Sequence, residues 1–268
     1  MSGAEEDKKM PLLEHLVELR TRLLYAALGF FIAFIACFFV AQHILDFLQR
    51  PLAELLPEGR RMIFTDLTEP FFTQLKVAAF GALCLSFPII ASQIWAFIAP
   101  GLYKHEKKAF LPFLVATPVM FAIGMAFVYY VLMPMAWRFF LGFETQGGDG
   151  TLALQLDAKI GEYVNLVMKL VFAFGFCFEL PVLLTLLAKV GIVGSQGLKD
   201  KRRYAIVGIV IVAAIVTPPD ALSMMSLALP MILLYEVSII MARLVEKKRA
   251  EEESEPEESE SRTDVKPA

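Results

Sequence analysis

The residue with most to explain is Glu179, an ionisable group inside the run Phe172-Ala173-Phe174-Gly175-Phe176-Cys177-Phe178-Glu179-Leu180. A charge at bilayer depth costs at least a few kcal/mol, so such a carboxyl is protonated, paired, or turned toward a protein interior or a partner. Two residues on, Pro181 has no N–H and leaves the Cys177 carbonyl without its helical donor. The two residues mark a broken, polar spot in an apolar helix. Its chemistry is hydrogen bonding in low dielectric, either to a group arriving from the membrane or to a local one such as Thr185 or Gln93. The other reactive residue types do not assemble into a catalytic set. His15, His43 and His105 lie at segment ends, and neither an HExxH helix nor a serine elbow occurs. Cys37, Cys84 and Cys177 sit in apolar segments without metal-ligand spacing and read as small hydrophobes. The residues point to binding, not to an enzyme, and call for no metal or cofactor.

The elements that must position Glu179 are membrane helices. Of 268 residues, 57% are hydrophobic and 12% aromatic, and mean hydropathy is positive. A span needs about 20 apolar residues at 1.5 Å each. Stretches 23–45, 77–98, 110–137, 164–188 and 221–242 meet this, and 204–216 is shorter. The Thr217-Pro218-Pro219-Asp220 turn makes 204–216 the partner of the segment that follows. The expected fold is an all-α polytopic membrane protein with six transmembrane helices, short fifth and sixth spans, and both termini cytoplasmic.

Orientation follows from basic residues, which bias loops toward the cytoplasm. Lys8, Lys9, Arg20 and Arg22 precede the first span, and Lys104, Lys107 and Lys108 separate the second and third. Lys199, Lys201, Arg202 and Arg203 separate the fourth and fifth, and Arg243, Lys247, Lys248 and Arg249 follow the last. The alternate loops hold only Arg50, Arg60, Arg61, Arg138 and Lys159. The first apolar segment is too long for a signal-peptide core and has no small-residue cleavage site, so it is expected to remain. Three regions result: a cytoplasmic amphipathic helix over 1–22, a transmembrane domain over 23–243, and a basic then acidic tail over 244–268, disordered by composition.

Leu12, Leu16, Leu19 and Leu23 recur at helical spacing, while Glu14, Glu18 and Arg22 form a polar stripe at spacings of four. By pattern alone this is a salt-bridged interfacial helix. Between spans two and three, Pro100-Gly101 stops a helix, and Glu106 stands among Lys104, His105, Lys107 and Lys108, a charge-balanced loop. On the other side, Pro51, Pro57 and Pro70 cap or turn the segment between spans one and two, Thr65, Asp66, Thr68 and Glu69 supply polar groups before span two, and Asp220 can cap the last span. Pro51, Pro218, Pro219 and Asp220 read as scaffold.

Taken in order, several of these segments resemble the TatC family, the membrane receptor of the twin-arginine protein translocase. They are His15-Leu16-x-Glu18-Leu19-Arg20-x-Arg22-Leu23, Pro51-Leu52, Phe71-Phe72, Phe97-Ile98-Ala99-Pro100-Gly101-Leu102-Tyr103-Lys104-His105-Glu106, Phe178-Glu179-Leu180-Pro181 and Thr217-Pro218-Pro219-Asp220. The match omits only the acidic tail; Lys107-Lys108 stand where arginines are also familiar. The resemblance implies a bacterial inner-membrane receptor for twin-arginine signal peptides of folded cargo. It also implies export driven by the proton motive force, assembly with single-span TatA-like and TatB-like partners, and self-association within the complex. It places Glu18 and Glu106 on one arginine-reading surface with Arg20 and Phe97, and it places Glu179, Pro181, Tyr204 and Ile206 at the docking site of a partner helix. A guanidinium fork matches a carboxylate in a way an ammonium does not, so two arginines suit two carboxylates. Nothing points to nucleic acid. The alternative reading is a proton-coupled small-solute transporter titrating at Glu179, which the scarcity of intramembrane polar residues disfavours.

Overall fold

The computed structural model describes residues 12–57, 59–98, 107–148, 152–217 and 221–261. Within them the regular structure is helical, apart from two isolated bridges. In chain order the helices are α1 (Leu12–Phe39), α2 (Ala41–Ala53), α3 (Glu69–Ile98) and α4 (Lys107–Phe127), which a π turn (Val128–Leu132) joins to α5 (Met133–Leu141). Then come α6 (Ile160–Phe178), α7 (Leu180–Lys189), α8 (Ser195–Asp200), α9 (Arg202–Val216) and α10 (Ala221–Ser261). Five segments are long and apolar enough to cross a bilayer: Glu14–Phe39, Glu69–Phe97, Leu111–Leu141, Ile160–Lys189 and Met224–Lys248. With the shorter α9 they make the apolar helical set expected from the sequence.

The chain divides into two compact units, one of residues 1–45 and 71–114, the other of 46–70 and 115–268. The first is built on small residues. Ala33, Cys37, Ala41, Ala78 and Ala82 are buried together, with Phe30, Phe34 and Ile44 closing over them. Without water to expel, helices in hydrocarbon associate by close van der Waals approach, which small side chains permit. The opposite side of α1 leaves Leu24, Leu28, Phe31 and Ile35 exposed, as a lipid-facing surface requires.

In the second unit α6 and α7 are central, and most of their apolar length is buried. Two glycines set how closely α4 and α6 approach. A methyl added at Gly124 would sit 2.8 Å from the Phe174 carbonyl oxygen, and one at Gly175 would sit 2.5 Å from the Phe121 ring. Phe127 lies over Phe174 and Phe178, with ring centroids 5.5 and 5.8 Å apart.

Prolines shape the helices by the donor they lack. Pro51 lies buried in the last turn of α2 and has no N–H for the Phe47 carbonyl. The Tyr129 hydroxyl donates to that carbonyl instead, at 2.9 Å, with its ring stacked 4.3 Å from Phe47. Tyr163 likewise donates to the Leu48 carbonyl at 2.7 Å. Pro134 cannot serve the Tyr130 carbonyl, and the widened π turn lies just ahead of it, with the Met133 N–H reaching back to Val128.

Two features differ from the sequence reading. Shortness holds for α9, whose 15 residues extend about 22 Å, but not for the last span, which has 25 residues in the apolar part of α10. Composition marked 244–268 as disordered, whereas α10 carries the backbone through Ser261. Glu, Lys and Arg are good helix formers, and an existing helix propagates without a new nucleus.

Candidate functional site

The N-terminal polar stripe is the first place where chemistry gathers. Glu18 is half-buried on α1, and Arg22, one turn on, donates to its Oε1 at 3.3 Å while also reaching Gln93 Oε1 on α3 at 3.4 Å. One turn before Glu18, the His15 ring stacks on Phe97, with centroids 4.3 Å apart and planes 18° from parallel. Phe97 therefore braces the end of α3 against α1. Arg20 is not the partner of Glu18. It is exposed and lines a groove of about 380 Å³ with Leu16, Leu19, Leu23, Leu24 and Ala27. Glu106 lies outside the described residues.

Glu179 is the hinge between α6 and α7. Its N–H turns back to the Phe176 carbonyl at 3.1 Å, and the ladder resumes from Leu183 N–H to the Glu179 carbonyl at 2.9 Å, the intervening Pro181 being buried. Thr117 of α4 hydrogen-bonds the carboxyl, while Oε1 is buried with no hydrogen-bond partner among the described residues. The local partners considered from sequence are engaged otherwise or not at all: Gln93 accepts from Arg22, and the buried Thr185 hydroxyl has no partner among the described residues. A carboxyl with one oxygen committed and the other unpaired can accept or, when protonated, donate one further hydrogen bond.

On α9, Tyr204, Val207, Ile211 and Ile215 recur at helical spacing and are all exposed, an open apolar stripe; Ile206 is half-buried. Arg203 sits 4.8 Å from the Tyr204 ring centroid and donates to its hydroxyl at 3.0 Å. Glu236 of α10 pairs with Arg202 at 2.7 Å.

The 54–68 and 142–159 connections are braced to each other. Arg60 forks onto both oxygens of Glu144, with Nη2 to Oε2 at 3.0 Å, and Glu144 Oε1 also accepts the Leu156 N–H at 2.9 Å. These bonds hold the Glu144 carboxyl below its ordinary range, the Arg60 contact contributing most. Ile63 exchanges backbone hydrogen bonds with Ala158 and Ile160, each 3.0 Å. Glu69 accepts from the Thr65 N–H at 3.0 Å and the Gly161 N–H at 2.9 Å, and Asp66 closes a turn on Thr68.

The family model for the Sec-independent protein translocase protein (TatC) matches residues 14–230. The chain belongs to the TatC family. A TatC from Magnetococcus marinus is 46% identical over 251 residues, covering 94% of this chain and 90% of that one. TatC of Escherichia coli K12 is 41% identical over 233 residues, covering 87% and 88%. Two crystal structures of the twin-arginine translocase receptor TatC superpose with TM-scores of 0.75 and 0.76 at 35% and 36% identity. They cover 86% and 85% of this chain and 99% of each of those.

In this TatC-family protein the structure brings Glu18, His15, Phe97 and Arg22 together and leaves Arg20 on a separate face. It sets Glu179 beside Pro181 at one helix break. Pro51 is buried inside α2, while Pro218, Pro219 and Asp220 lie outside the described residues. Sequence reasoning missed Thr117, Tyr129 and the Arg60–Glu144 fork. Tyr129 alone had a signal, since a proline at 51 implies an orphaned carbonyl at 47.

Proposed function

We propose that this TatC-family protein is the receptor subunit of a twin-arginine translocase, reading signal peptides at Glu18 and Glu106. One observation carries the reading. The His15–Phe97 stack ties the root of the 99–106 connection to the turn of α1 bearing Glu18, which favours two carboxylates on one surface. Glu18 already accepts one guanidinium, from Arg22, at a long 3.3 Å, and an incoming arginine can improve on that geometry. Arg20 and the leucines of its groove then meet the apolar part of the peptide. At Glu179 the free Oε1, next to Pro181, suits a polar group on the single helix of a TatA-like or TatB-like partner. The exposed stripe of α9, starting at Tyr204 and flanked by Ile206, offers that helix an apolar seat.

The receptor acts by binding and assembly, not as an enzyme, and the proton motive force drives export of folded cargo. It lies in the bacterial cytoplasmic membrane with both termini inside, several copies associating in the complex. The test is equilibrium binding of a labelled twin-arginine peptide and its twin-lysine analogue to the full chain in nanodiscs. Arginine-selective binding weakened about tenfold or more by Glu18→Ala and by Glu106→Ala is expected, since a charge-assisted hydrogen bond is worth about 1.5–3 kcal/mol. Unchanged affinity in both variants removes the reading.

A further inference from the structure

The 142–159 connection carries an apolar surface that neither peptide reading nor partner docking uses. Thr145 and Leu154 pair across it with reciprocal backbone bonds of 2.9 Å, making a short antiparallel rung. Leu152, Leu154 and Leu156 alternate with Ala153, Gln155 and Asp157. In extended chain that alternation puts the three leucines on one side. Their exposures are 93%, 60% and 37%, and Phe143, just before the rung, is 58% exposed. The hairpin is held in place, since Glu144 is gripped by Arg60 and receives the Leu156 N–H. The connection is thus a braced element that displays leucines outward.

Chain reach decides what can cover them. The rung lies four residues beyond Leu141, where one apolar span ends, and Leu156 lies four residues before Ile160, where the next begins. Four extended residues cover roughly 13 Å, and the interfacial zone beyond the hydrocarbon is itself roughly 5–8 Å deep on each side. The leucine stripe is therefore tethered at both ends within roughly 13 Å of the ends of two apolar helices. Before it, Phe143 packs edge-on against Phe139 of α5 at 5.0 Å. Exposed Arg138, one turn earlier, suits a lipid phosphate. Contiguous exposed apolar side chains mark an interaction surface, and here the partner within reach is lipid.

We propose that this hairpin is a membrane-interface anchor: the Leu152–Leu154–Leu156 side inserts among the headgroups and upper acyl chains of the adjacent leaflet, with Arg138 on the phosphates. The braced 54–68 connection is thereby fixed to the bilayer surface.

The test uses the full chain in nanodiscs, with Cys37, Cys84 and Cys177 replaced by alanine and spin labels attached after Leu152→Cys, Leu154→Cys or Gln155→Cys. Power saturation with oxygen and a water-soluble nickel chelate should show labels at 152 and 154 several-fold more accessible to oxygen than to nickel, and the label at 155 the reverse. Nickel dominating at all three positions would place the hairpin in water and overturn the proposal. Dipolar broadening at 154 that vanishes on dilution with unlabelled chain would make the stripe a contact between copies and overturn it equally. Leu154→Trp in the wild-type cysteine background gives a second readout. Its added emission should be quenched by lipids brominated near the headgroup and little affected by acrylamide; the opposite pattern refutes insertion.

Discussion

At the scale of single residues, Glu179 and Glu144 are carboxyls with opposite settings. Glu144 is engaged by a guanidinium fork and a backbone N–H, whereas Glu179 has one oxygen without a hydrogen-bond partner among the described residues. A group with spare hydrogen-bonding capacity in low dielectric is one that a partner can complete. Glu179→Ala should leave signal-peptide affinity within about twofold while changing the crosslinks between α6–α7 and a partner helix, each tenfold being 1.4 kcal/mol. An unaltered crosslinking pattern would remove Glu179 from docking. For Glu144 the sign follows from its lowered pKa. The brace stabilises fully above the ordinary carboxylate range, and its contribution is lost as pH falls through the depressed folded value. Wild type should therefore melt above Glu144→Gln at neutral pH, with the gap closing as pH falls below the ordinary carboxylate range. A gap that persists in acid would mean the fork is not what Glu144 contributes.

Among the elements, helix approach is set by glycine and helix shape by proline. Gly124 faces backbone atoms of α6, with a methyl there meeting the Phe174 carbonyl at 2.8 Å, while Gly148 has nothing within 4 Å. Gly124→Ala should cost about 1–3 kcal/mol by overpacking, seen as a lower melting temperature in detergent, and Gly148→Ala should cost almost nothing. Equal effects would show that the α4–α6 approach is not tightly set. Tyr129→Phe should also destabilise, because the Phe47 carbonyl loses the donor that replaces the one absent at Pro51. The bond is exposed, so its loss should cost about 0.5–1.5 kcal/mol, and an unchanged melting temperature would mean water serves that carbonyl as well.

For the whole molecule, the residues proposed for peptide reading and those proposed for partner docking fall in different units: Glu18 and Phe97 in residues 1–45 and 71–114, Glu179 and α9 in the other. The two activities should separate by mutation. The extension of α10 beyond Lys248 is part of the second unit and is assigned to neither proposed activity. Truncation after Lys248 is expected to leave twin-arginine peptide affinity within about twofold; a larger loss would make the acidic arm part of the receptor surface.

The sequence by itself determined what depends on local order. Hydrophobic runs of bilayer length specify the helices, spacings of four put Glu18 one turn from Arg22, and Pro181 announces the break at Glu179 because a missing donor acts within four residues of itself. Only the tertiary structure decided which distant groups meet. Arg60 and Glu144 are 84 residues apart, and no periodicity links them. Thr117 finds Glu179, and Arg22 reaches Gln93, because side-chain partners are fixed by helix rotation and approach. Those depend on where Gly124, Gly175 and the buried alanines let backbones close, a property of packed pairs of helices and not of any one segment.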